Sequence, residues 1–408
     1  MPDLDDRTRL LEQLLEERIL VVDGAMGTAI QALDLSADDF GGPELEGCNE
    51  ILVESRPEVI RKIHRDYLAA GADIIETDTF GGTPLVLAEY GLGDRARELN
   101  RLAAHLAAQA AAEASTPAWP RFAAGSIGPT TKAITVTGGI SFEGLRDTFR
   151  EQVLGLVEGG VDLLIIETQQ DTRNVKAALL ATDEAFAALG RRVPVMVSGT
   201  IEATGTMLAG QGVEALYASI MQRDLLSVGL NCATGPEFMT DHLRSLSAIA
   251  KTRVSCIPNA GLPDSEGRYL ETPEGIARVL ERFVDLGWLN IVGGCCGTTY
   301  AHTAALAAMV QGKRPRVPAL HHRTVLSGID FLEVGDDNRP VLVGERTNVI
   351  GSRKFKRLVG EGAWEEASEI GRKQVKGGAQ IVDVCLADPD RDEMADIVTF
   401  LPELIKKV

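Results

Sequence analysis

Eight short apolar runs that alternate with longer helical patterns predict an α/β protein whose main domain is a (β/α)8 TIM barrel. The runs are rich in Val, Ile and Leu over nearly their whole length, which is typical of parallel strands buried on both faces. They fall within roughly 300 residues, and a barrel of this kind takes about 250 residues before insertions. We therefore expect most of the chain to form one barrel.

The predicted strands cover residues 19–27, 72–80, 121–129, 161–170, 193–201, 225–233, 253–261 and 289–297. Between them the apolar spacing becomes that of amphipathic helices, as in PEVIRKIHRDYLAAG and TPEGIARVLERFVDLG. The second of these helices begins with Thr272 as its N-cap and Pro273 at its first helical position. The alternation predicts strand–helix units repeated around the barrel.

Each predicted strand becomes polar only near its C-terminal end. These polar residues are Asp23, Glu76, Ser126, Glu167, Ser198, Asn231 with Cys232, Asn259, and Cys295 with Cys296. In a parallel barrel the C-terminal ends of all strands meet on one rim, and that rim carries the active site. Residues far apart in the chain are therefore predicted to converge there.

The alternation stops near residue 325, which ends the predicted barrel domain of residues 1–325. Residues 326–338 predict a polar linker with at most one short strand. In residues 339–408, VLVGERTNVIGS and QIVDVCLAD predict strands and AWEEASEIGRKQVKGGA predicts a helix. Because about 70 residues cannot close a barrel, we expect this part to be the truncated start of a second α/β barrel.

Composition and charge exclude several classes of protein. The chain has 408 residues and a formal net charge of −18, which argues against a broad nucleic-acid or anionic-membrane surface. No apolar run approaches the roughly 18 residues that span a bilayer. The N-terminal MPDLDDRTRLLEQLLEERIL predicts an acidic amphipathic helix without the features of a signal peptide. We expect a cytoplasmic protein with no nucleic-acid partner and no membrane association.

The cysteines indicate a metal site. In a reducing compartment thiols stay free, which favours a metal site over a disulfide framework or a vicinal disulfide. Cys232 ends the sixth predicted strand, and Cys295 and Cys296 end the eighth within GGCCG, where Gly293, Gly294 and Gly297 are expected to let the backbone bend. Three thiolates suit tetrahedral Zn²⁺ and leave the fourth position for water or substrate. Cys48, Cys256 and Cys385 are expected to be ordinary thiols.

An open zinc site of this kind activates a substrate thiol, because a coordinated thiol loses its proton. The backbone N–H groups of Gly24, Ala25 and Met26 in DGAMGT are suited to a substrate carboxylate, and Asp23 and Glu167 to an ammonium group. These features favour an amino-acid thiol as substrate. The alternatives are a plain turn at the first strand end and ordinary carboxylates at the rim. Asn231 is a candidate for a weak fourth zinc ligand that the substrate displaces.

Six motifs carry a family resemblance over about residues 10–320. VVDGAMGT, ETDTF, GSIGP, ETQQD, GLNCATGP and GGCCGTT occur in this order and resemble the homocysteine-binding module of zinc-dependent homocysteine S-methyltransferases. GERTNVIGSRKF followed by GAQIVDVCLAD is similar to the start of the pterin-binding barrel that follows this module in cobalamin-dependent methionine synthases. The resemblance implies a methyltransferase in which Cys232, Cys295 and Cys296 hold Zn²⁺. Homocysteine then takes a methyl group from methylcobalamin to give methionine, and 5-methyltetrahydrofolate is the ultimate methyl donor.

The same resemblance implies partners and pterin contacts. Glu345, Asn348 and Asp383 match positions that contact the pterin, whereas Cys385 stands where the family usually has Asn. The cobalamin-ligand motif Asp-x-His-x-x-Gly does not occur in this sequence, which implies a separate cobalamin-binding domain or protein as partner.

Three other functions remain open at this point. A betaine- or S-methylmethionine-dependent homocysteine methyltransferase would need no corrinoid, but GERTN argues against it. In a fusion to a methylenetetrahydrofolate reductase, the second barrel would bind flavin, which these residues do not resemble. A non-catalytic zinc or amino-acid binding module is the third.

Overall fold

The computed structural model describes residues 6–318, 320 and 323–408. Residues 1–5 of the predicted N-terminal helix lie outside the described residues, as do residues 319, 321 and 322 near the predicted linker. The chain divides into two compact units. The first unit is the chain up to residue 321 together with residues 327–331. The second unit is residues 322–326 together with residues 332–408.

The first unit contains eight parallel strands arranged as a barrel, which confirms the predicted fold class. The strands are β1 (Leu20–Val21), β2 (Ile74–Glu76), β3 (Phe122–Ile127), β4 (Leu163–Gln169), β5 (Val195–Gly199), β6 (Ser227–Asn231), β7 (Arg253–Ile257) and β8 (Ile291–Val292). From β2 to β8 each strand pairs with the next, and β8 pairs back with β1. A parallel bridge between Val22 and Ile74 brings β1 beside β2 and completes the ring.

Helices connect these strands. They are α1 (Asp6–Glu17), α2 (Met26–Gln31), α3 (Ala37–Phe40), α4 (Leu52–Ser55), α5 (Pro57–Ala70), α6 (Pro84–Leu87), α7 (Ala96–Ala114), α8 (Phe142–Gly159), α9 (Thr172–Leu189), α10 (Val213–Ile220), α11 (Thr240–Ile249), α12 (Pro273–Asp285) and α13 (Tyr300–Met309). Short 3₁₀ turns cover Asn49–Ile51, Ala88–Tyr90, Gly93–Arg95 and Pro236–Met239. The predicted cap of α12 is confirmed, since the Thr272 hydroxyl accepts a hydrogen bond from the Gly275 N–H at 3.1 Å. None of the helices in the described part of the chain is both long and apolar enough to cross a bilayer.

Helix α1 closes the N-terminal end of the barrel. Its buried Leu11 and Leu15 pack with the apolar residues that the strands turn inward. Beside this end, Asp73 accepts hydrogen bonds from Arg18 at 2.8 and 2.9 Å and from the Trp119 indole at 2.7 Å. The apolar plug leaves the opposite rim, at the C-terminal strand ends, as the place where polar residues gather.

The second unit is also α/β. Its two predicted strands are present as β11 (Val343–Asn348) and β12 (Ile381–Cys385), which pair in parallel, and its helices are α14 (Arg353–Gly360), α15 (Trp364–Lys376) and α16 (Glu393–Ile405). Helix α15 was expected from the sequence, whereas α14 and α16 were not. A separate core holds this unit together, formed by Val349, Phe355, Leu358, Val359, Ala367, Leu386, Phe400 and Leu404.

The predicted linker is more ordered than expected. Two short strands, β9 (Val325–Ser327) and β10 (Phe331–Glu333), pair with each other, so the expectation of at most one strand is wrong. The reversal occurs at SGID, where the Gly328 N–H donates to the Asp330 carbonyl at 3.0 Å. Short apolar triplets on both sides of a Gly-containing turn favour such a hairpin. The domain boundaries at residues 325 and 338 stay predictions.

Candidate metal centre and substrate site

Cys232 lies on a strained turn directly after β6. Its φ of 61° and the φ of 51° at Ala233 are left-handed values, which cost a non-glycine residue roughly 1–2 kcal/mol each. Backbone hydrogen bonds hold the turn, from Cys232 N–H to the Ile257 carbonyl at 3.2 Å and from Thr234 N–H to the Cys232 carbonyl at 2.6 Å. The chain therefore leaves β6 abruptly, and the Cys232 thiol lies beside the loop that follows β8.

Cys295 and Cys296 lie in that loop. The Cys295 N–H donates to the Pro258 carbonyl at 2.8 Å, and the Cys296 carbonyl accepts from the Ala260 N–H at 2.9 Å. Both bonds tie the pair to the segment after β7. Two adjacent thiols are thus held on a backbone that the segment after β7 fixes in place.

The glycines around this pair have two different roles. Gly297 adopts a left-handed φ of 79°, so the predicted conformational freedom is needed there. Gly293 and Gly294 are not left-handed, and they serve close packing instead. A Cβ on Gly293 would come 2.9 Å from Val22, and one on Gly294 would come 2.4 Å from Thr298.

The three sulfurs converge. The Sγ atoms of Cys232, Cys295 and Cys296 all lie within 4.8 Å of one another, and those of Cys232 and Cys296 are 3.9 Å apart. Bonds of about 2.3 Å at tetrahedral angles put two sulfurs about 3.8 Å apart on one zinc ion. The arrangement therefore fits a common metal centre, and the role of the three cysteines as zinc ligands stays a prediction.

Without a metal, the thiols share protons. Hydrogen bonds from Cys232 and Cys295 lower the pKa of the Cys296 thiol to about 3. Donating hydrogen bonds to Cys232 and Cys296 raises the pKa of Cys295 well above its ordinary value. A divalent cation bound by Cys232, Cys295 and Cys296 would stabilise all three thiolates together and release the remaining protons.

Glu167 and Asn231 form a hydrogen-bonded layer beside the sulfurs. The Glu167 carboxylate accepts from the Ser126 hydroxyl at 2.6 Å and from the Asn231 amide at 3.2 Å. The same amide lies 3.9 Å from the Cys295 sulfur. Burial raises the pKa of Glu167 to about 7, against the lowering effect of the Ser126 hydrogen bond.

Asn231 also fixes a bulge in β4. The Thr168 N–H donates to the Asn231 side-chain oxygen at 2.9 Å, and the Asn231 amide donates to the Thr168 hydroxyl at 2.7 Å. Thr168 has a left-handed φ of 55°, at the point where the pairing of β4 with β5 shifts register. The bulge presents Glu167 to the barrel mouth.

Asp23 and Glu76 add two more carboxyl groups, of which Asp23 is buried and Glu76 half-buried. Both oxygens of Asp23 accept from the Glu76 N–H, at 3.2 and 3.1 Å. Burial raises the pKa of Asp23, and the charge of Glu167 raises it further. Burial and then the charges of Glu167 and Asp23 raise the pKa of Glu76, whose buried Oε1 has no hydrogen-bond partner among the described residues. The mouth is therefore suited to a cationic group.

The segment after Asp23 begins helix α2. Gly24 is tightly enclosed, since a Cβ there would come 2.8 Å from Tyr67 and 2.9 Å from Thr298. The Ala25 N–H is 3.4 Å from the Thr298 hydroxyl, and no side chain caps the helix that starts at Met26. Uncapped N–H groups in this first turn remain available to an anion. Their role in binding substrate stays a prediction.

The predicted pterin contacts lie at the ends of β11 and β12. Asn348 accepts hydrogen bonds from the Ile350 and Gly351 N–H groups at 2.8 and 3.0 Å, so its side-chain oxygen already stabilises a local turn. Asn348 and Cys385 are register partners. Glu345 and Asp383 are exposed. The pterin role of Glu345, Asn348 and Asp383 stays a prediction.

Sequence reasoning missed Thr168 and Thr298, and it gave Ser126 no role. Ser126 was visible as a polar strand end, and Thr298 follows the two cysteines and Gly297 in the chain.

Comparisons with known proteins identify the family. Residues 20–310 match the family model described as homocysteine S-methyltransferase. The chain is 41% identical over 401 residues to the methionine synthase of Mycobacterium tuberculosis (strain ATCC 25618 / H37Rv), which covers 97% of this chain. It spans about a third (33%) of the length of that relative.

Two solved structures show a similar fold. The metallated form of the homocysteine methyltransferase MmuM from Escherichia coli matches with a TM-score of 0.60 at 26% identity, over 74% of this chain and 99% of that chain. The apo form of the same protein matches with a TM-score of 0.56 at 25% identity over the same shares.

Proposed function

Because the chain belongs to the homocysteine S-methyltransferase family, we propose that it transfers a methyl group to the thiol of homocysteine and forms methionine. The observation that carries the proposal is the convergence of three thiols within 4.8 Å, next to the carboxyl groups of Asp23, Glu76 and Glu167 at the barrel mouth. A sulfur-rich metal site beside a cluster of carboxyl groups suits a substrate with a thiol at one end and an ammonium at the other.

We propose that Cys232, Cys295 and Cys296 hold Zn²⁺. When bound, zinc turns a substrate thiol into a thiolate nucleophile at neutral pH. The 3.9 Å separation of two of the sulfurs supports this donor set. Asn231 is the candidate for a fourth ligand in the absence of substrate. The amide atom 3.9 Å from Cys295 is Nδ2, whereas the oxygen that would bind a metal accepts from the Thr168 N–H at 2.9 Å, so ligation would require the amide to turn over. Free thiols of this kind fit a cytoplasmic location.

The other residues of the rim bind and orient homocysteine. Glu167 and Asp23, with Glu76 beside them, supply carboxylate oxygens to the ammonium group, whose positive charge offsets the burial that raises the pKa of all three carboxyl groups. The N–H groups of Gly24, Ala25 and Met26 receive the carboxylate at the start of α2. Fixing both ends of the amino acid points its thiol at the three cysteines, so binding energy is used to orient the nucleophile.

We further propose that methylcobalamin is the methyl donor and 5-methyltetrahydrofolate the ultimate source of the methyl group. The proposal rests on GERTNVIGS and the parallel pair β11–β12, with Glu345, Asn348 and Asp383 as candidates for folate contact. A cobalamin-binding domain or protein is then the partner that presents the methylcobalamin. The rival donors are betaine and S-methylmethionine.

A comparison of methyl donors tests the function. The purified full chain is incubated with homocysteine and, separately, free methylcobalamin, betaine or S-methylmethionine, and methionine is measured. We expect methionine with methylcobalamin and not with the other two donors, and we expect Cys296→Ser to abolish it. Transfer from betaine or S-methylmethionine alone would contradict the corrinoid assignment while leaving homocysteine methylation in place. No methionine from any donor, in a chain that retains zinc, would contradict the methyltransferase itself.

A further inference from the structure

We propose that Thr28 and Thr298 are positioning residues of the metal site, whose hydroxyl groups tie the cysteine loop, residues 293–299, to the segment after β1. The inference rests on the proposed function, because it concerns the same cysteines as zinc ligands. Thr28 ends the motif VVDGAMGT and Thr298 lies in GGCCGTT. Neither threonine has a role in the function proposed above.

The two threonines form a reciprocal pair of hydrogen bonds between the segments that follow β1 and β8. The Thr28 hydroxyl accepts from the Gly297 N–H at 3.0 Å, and the Thr298 hydroxyl accepts from the Ala25 N–H at 3.4 Å. Each segment thus supplies a side-chain acceptor for a backbone N–H of the other. Gly297 follows the two cysteines directly, so the first of these bonds holds the cysteine loop itself.

The Thr298 hydroxyl lies in a narrow space between two glycines. A Cβ on Gly24 would come 2.9 Å from Oγ1 of Thr298, and one on Gly294 would come 2.4 Å from the same atom. Thr298 is 1% exposed, and its hydroxyl also donates to the Cys295 carbonyl at 2.7 Å. This hydroxyl therefore joins the backbone of Cys295 to the segment after β1.

These bonds support the cysteine loop on the side opposite to β7. On the β7 side, the backbone groups of Cys295 and Cys296 bond to other backbone groups, which a side-chain substitution does not remove. On the β1 side, one backbone bond runs from the Gly294 N–H to the Asp23 carbonyl at 3.1 Å, and the threonine bonds accompany it. The threonines are therefore the part of the support that substitution can test.

A fixed cysteine loop favours metal binding, because two of its sulfurs must meet a third from another strand. The Sγ atoms of Cys232, Cys295 and Cys296 lie within 4.8 Å of one another. A loop that is already held in its binding arrangement loses less conformational freedom when the ligand binds. Residues that orient metal ligands are typically worth about 10–100-fold in metal affinity. We expect Thr28 and Thr298 to contribute in this range.

The test removes one hydroxyl at a time. Thr28→Val and Thr298→Val keep the shape of the side chain but cannot accept a hydrogen bond, whereas Thr28→Ser keeps the acceptor. Thr252→Val is the matched control, because Thr252 is half-buried like Thr28 and its hydroxyl bonds to the Leu225 carbonyl at 2.7 Å, at the closed end of the barrel. The full chain is stripped of metal and titrated with Zn²⁺ against a chelator. Hydrogen exchange of the cysteine loop is followed by mass spectrometry in metal-free samples.

We expect Thr28→Val and Thr298→Val each to weaken zinc binding by about tenfold or more and to speed hydrogen exchange in the cysteine loop, because the loop loses part of its support. Thr28→Ser and Thr252→Val should match wild type in both measurements.

Wild-type zinc affinity in either folded valine variant would overturn the inference, even with faster exchange, because the threonine would then stabilise the fold alone. An equal loss of affinity in Thr28→Ser, or failure of both valine variants to fold, would overturn it as well. Zinc binding by the wild type that persists unchanged in Cys296→Ser would overturn the proposed metal site, and this inference with it.

Discussion

The side-chain amide of Asn231 donates a hydrogen bond to Glu167 across a distance of 3.2 Å, and this bond joins the substrate pocket to the cysteine cluster. Asn231 precedes Cys232 in the chain, and its amide also approaches Cys295. One residue therefore contacts a carboxylate suited to the substrate ammonium and a sulfur suited to the metal. The position of Glu167 relative to the three sulfurs depends on this residue.

Replacing Asn231 should damage both stability and substrate binding. In Asn231→Ala the Thr168 N–H loses its acceptor within the buried bulge, and an unsatisfied buried group costs about 1–3 kcal/mol. We expect the free energy of unfolding to fall by that amount in urea titrations. Homocysteine affinity should fall as well, because Glu167 loses a donor. The control is Gln222→Ala, because Gln222 is an exposed amide away from the rim, and it should change neither the free energy of unfolding nor the affinity for homocysteine. An Asn231→Ala variant with wild-type stability and wild-type affinity would contradict the role given to Asn231.

Glu167 should recognise the ammonium group and not the thiol. We expect Glu167→Gln to weaken homocysteine binding by about tenfold or more, since hydrogen bonds to charged groups are worth about 1.5–3 kcal/mol. Zinc content should be unchanged. The control is a ligand, 4-mercaptobutyrate, which is homocysteine without its amino group. Its affinity, measured by calorimetry, should be the same for Glu167→Gln and wild type, and an equal loss for both ligands would assign Glu167 to another role.

His64 should make the protein sensitive to acid. Its ring is fully buried, both nitrogens lack a hydrogen-bond partner among the described residues, and burial lowers its pKa to about 4. The pKa of His64 is lower in the folded protein than its value of about 6.5 in the unfolded chain. As far as this histidine is concerned, the folded protein therefore has its full free energy of unfolding above pH 6.5 and loses part of it as the pH falls toward 4. The loss approaches about 3 kcal/mol.

His64→Met, which cannot be protonated, isolates this effect. The buried carboxyl groups at the mouth have raised pKa values and act in the opposite direction, but they are common to both proteins. We expect the unfolding free energy of wild type, relative to His64→Met, to decrease between pH 7 and pH 4.5 in metal-free samples. Parallel pH profiles of the two proteins would refute the prediction.

The closed end of the barrel should affect stability without affecting the chemistry. Asp73 is 1% exposed, and its carboxylate accepts hydrogen bonds from Arg18, from Trp119 and from the Val21 N–H. Breaking a buried pair by removing one partner costs about 3–5 kcal/mol, so Asp73→Ala should lower the thermal midpoint strongly while the folded protein keeps its zinc. Asp241→Ala, from an exposed pair with Arg244, should leave the midpoint nearly unchanged. Loss of zinc from folded Asp73→Ala would show that the two ends are coupled.

The barrel was predictable because its signal is repeated. Eight apolar runs, each polar only at its C-terminal end, indicate both the sheet and the direction in which its strands run. Because all strands run the same way, their C-terminal ends lie on one rim, and this places Cys232 near Cys295 and Cys296. Strands β1 and β8 have only two residues each, fewer than the apolar runs that predicted them. The pattern of the runs therefore predicts that a strand exists better than it predicts where the strand begins and ends.

Other features depend on contacts that spacing does not reveal. The left-handed turn at Cys232 and the bulge at Thr168 are stabilised by partners from other strands. Helix α16 contains Pro402, which obscures its helical pattern. The ring of Tyr269 packs on the cysteine loop only because Gly297 lacks a side chain. In each case a distant residue decides the local structure.

Zinc K-edge X-ray absorption of the purified full chain, with and without homocysteine, tests the central claim most directly. The account predicts three sulfur neighbours at about 2.3 Å in the free protein and four when homocysteine is bound, with a matching loss of zinc in Cys232→Ser, Cys295→Ser and Cys296→Ser. Fewer than three sulfurs, or no additional sulfur on adding homocysteine, would contradict it.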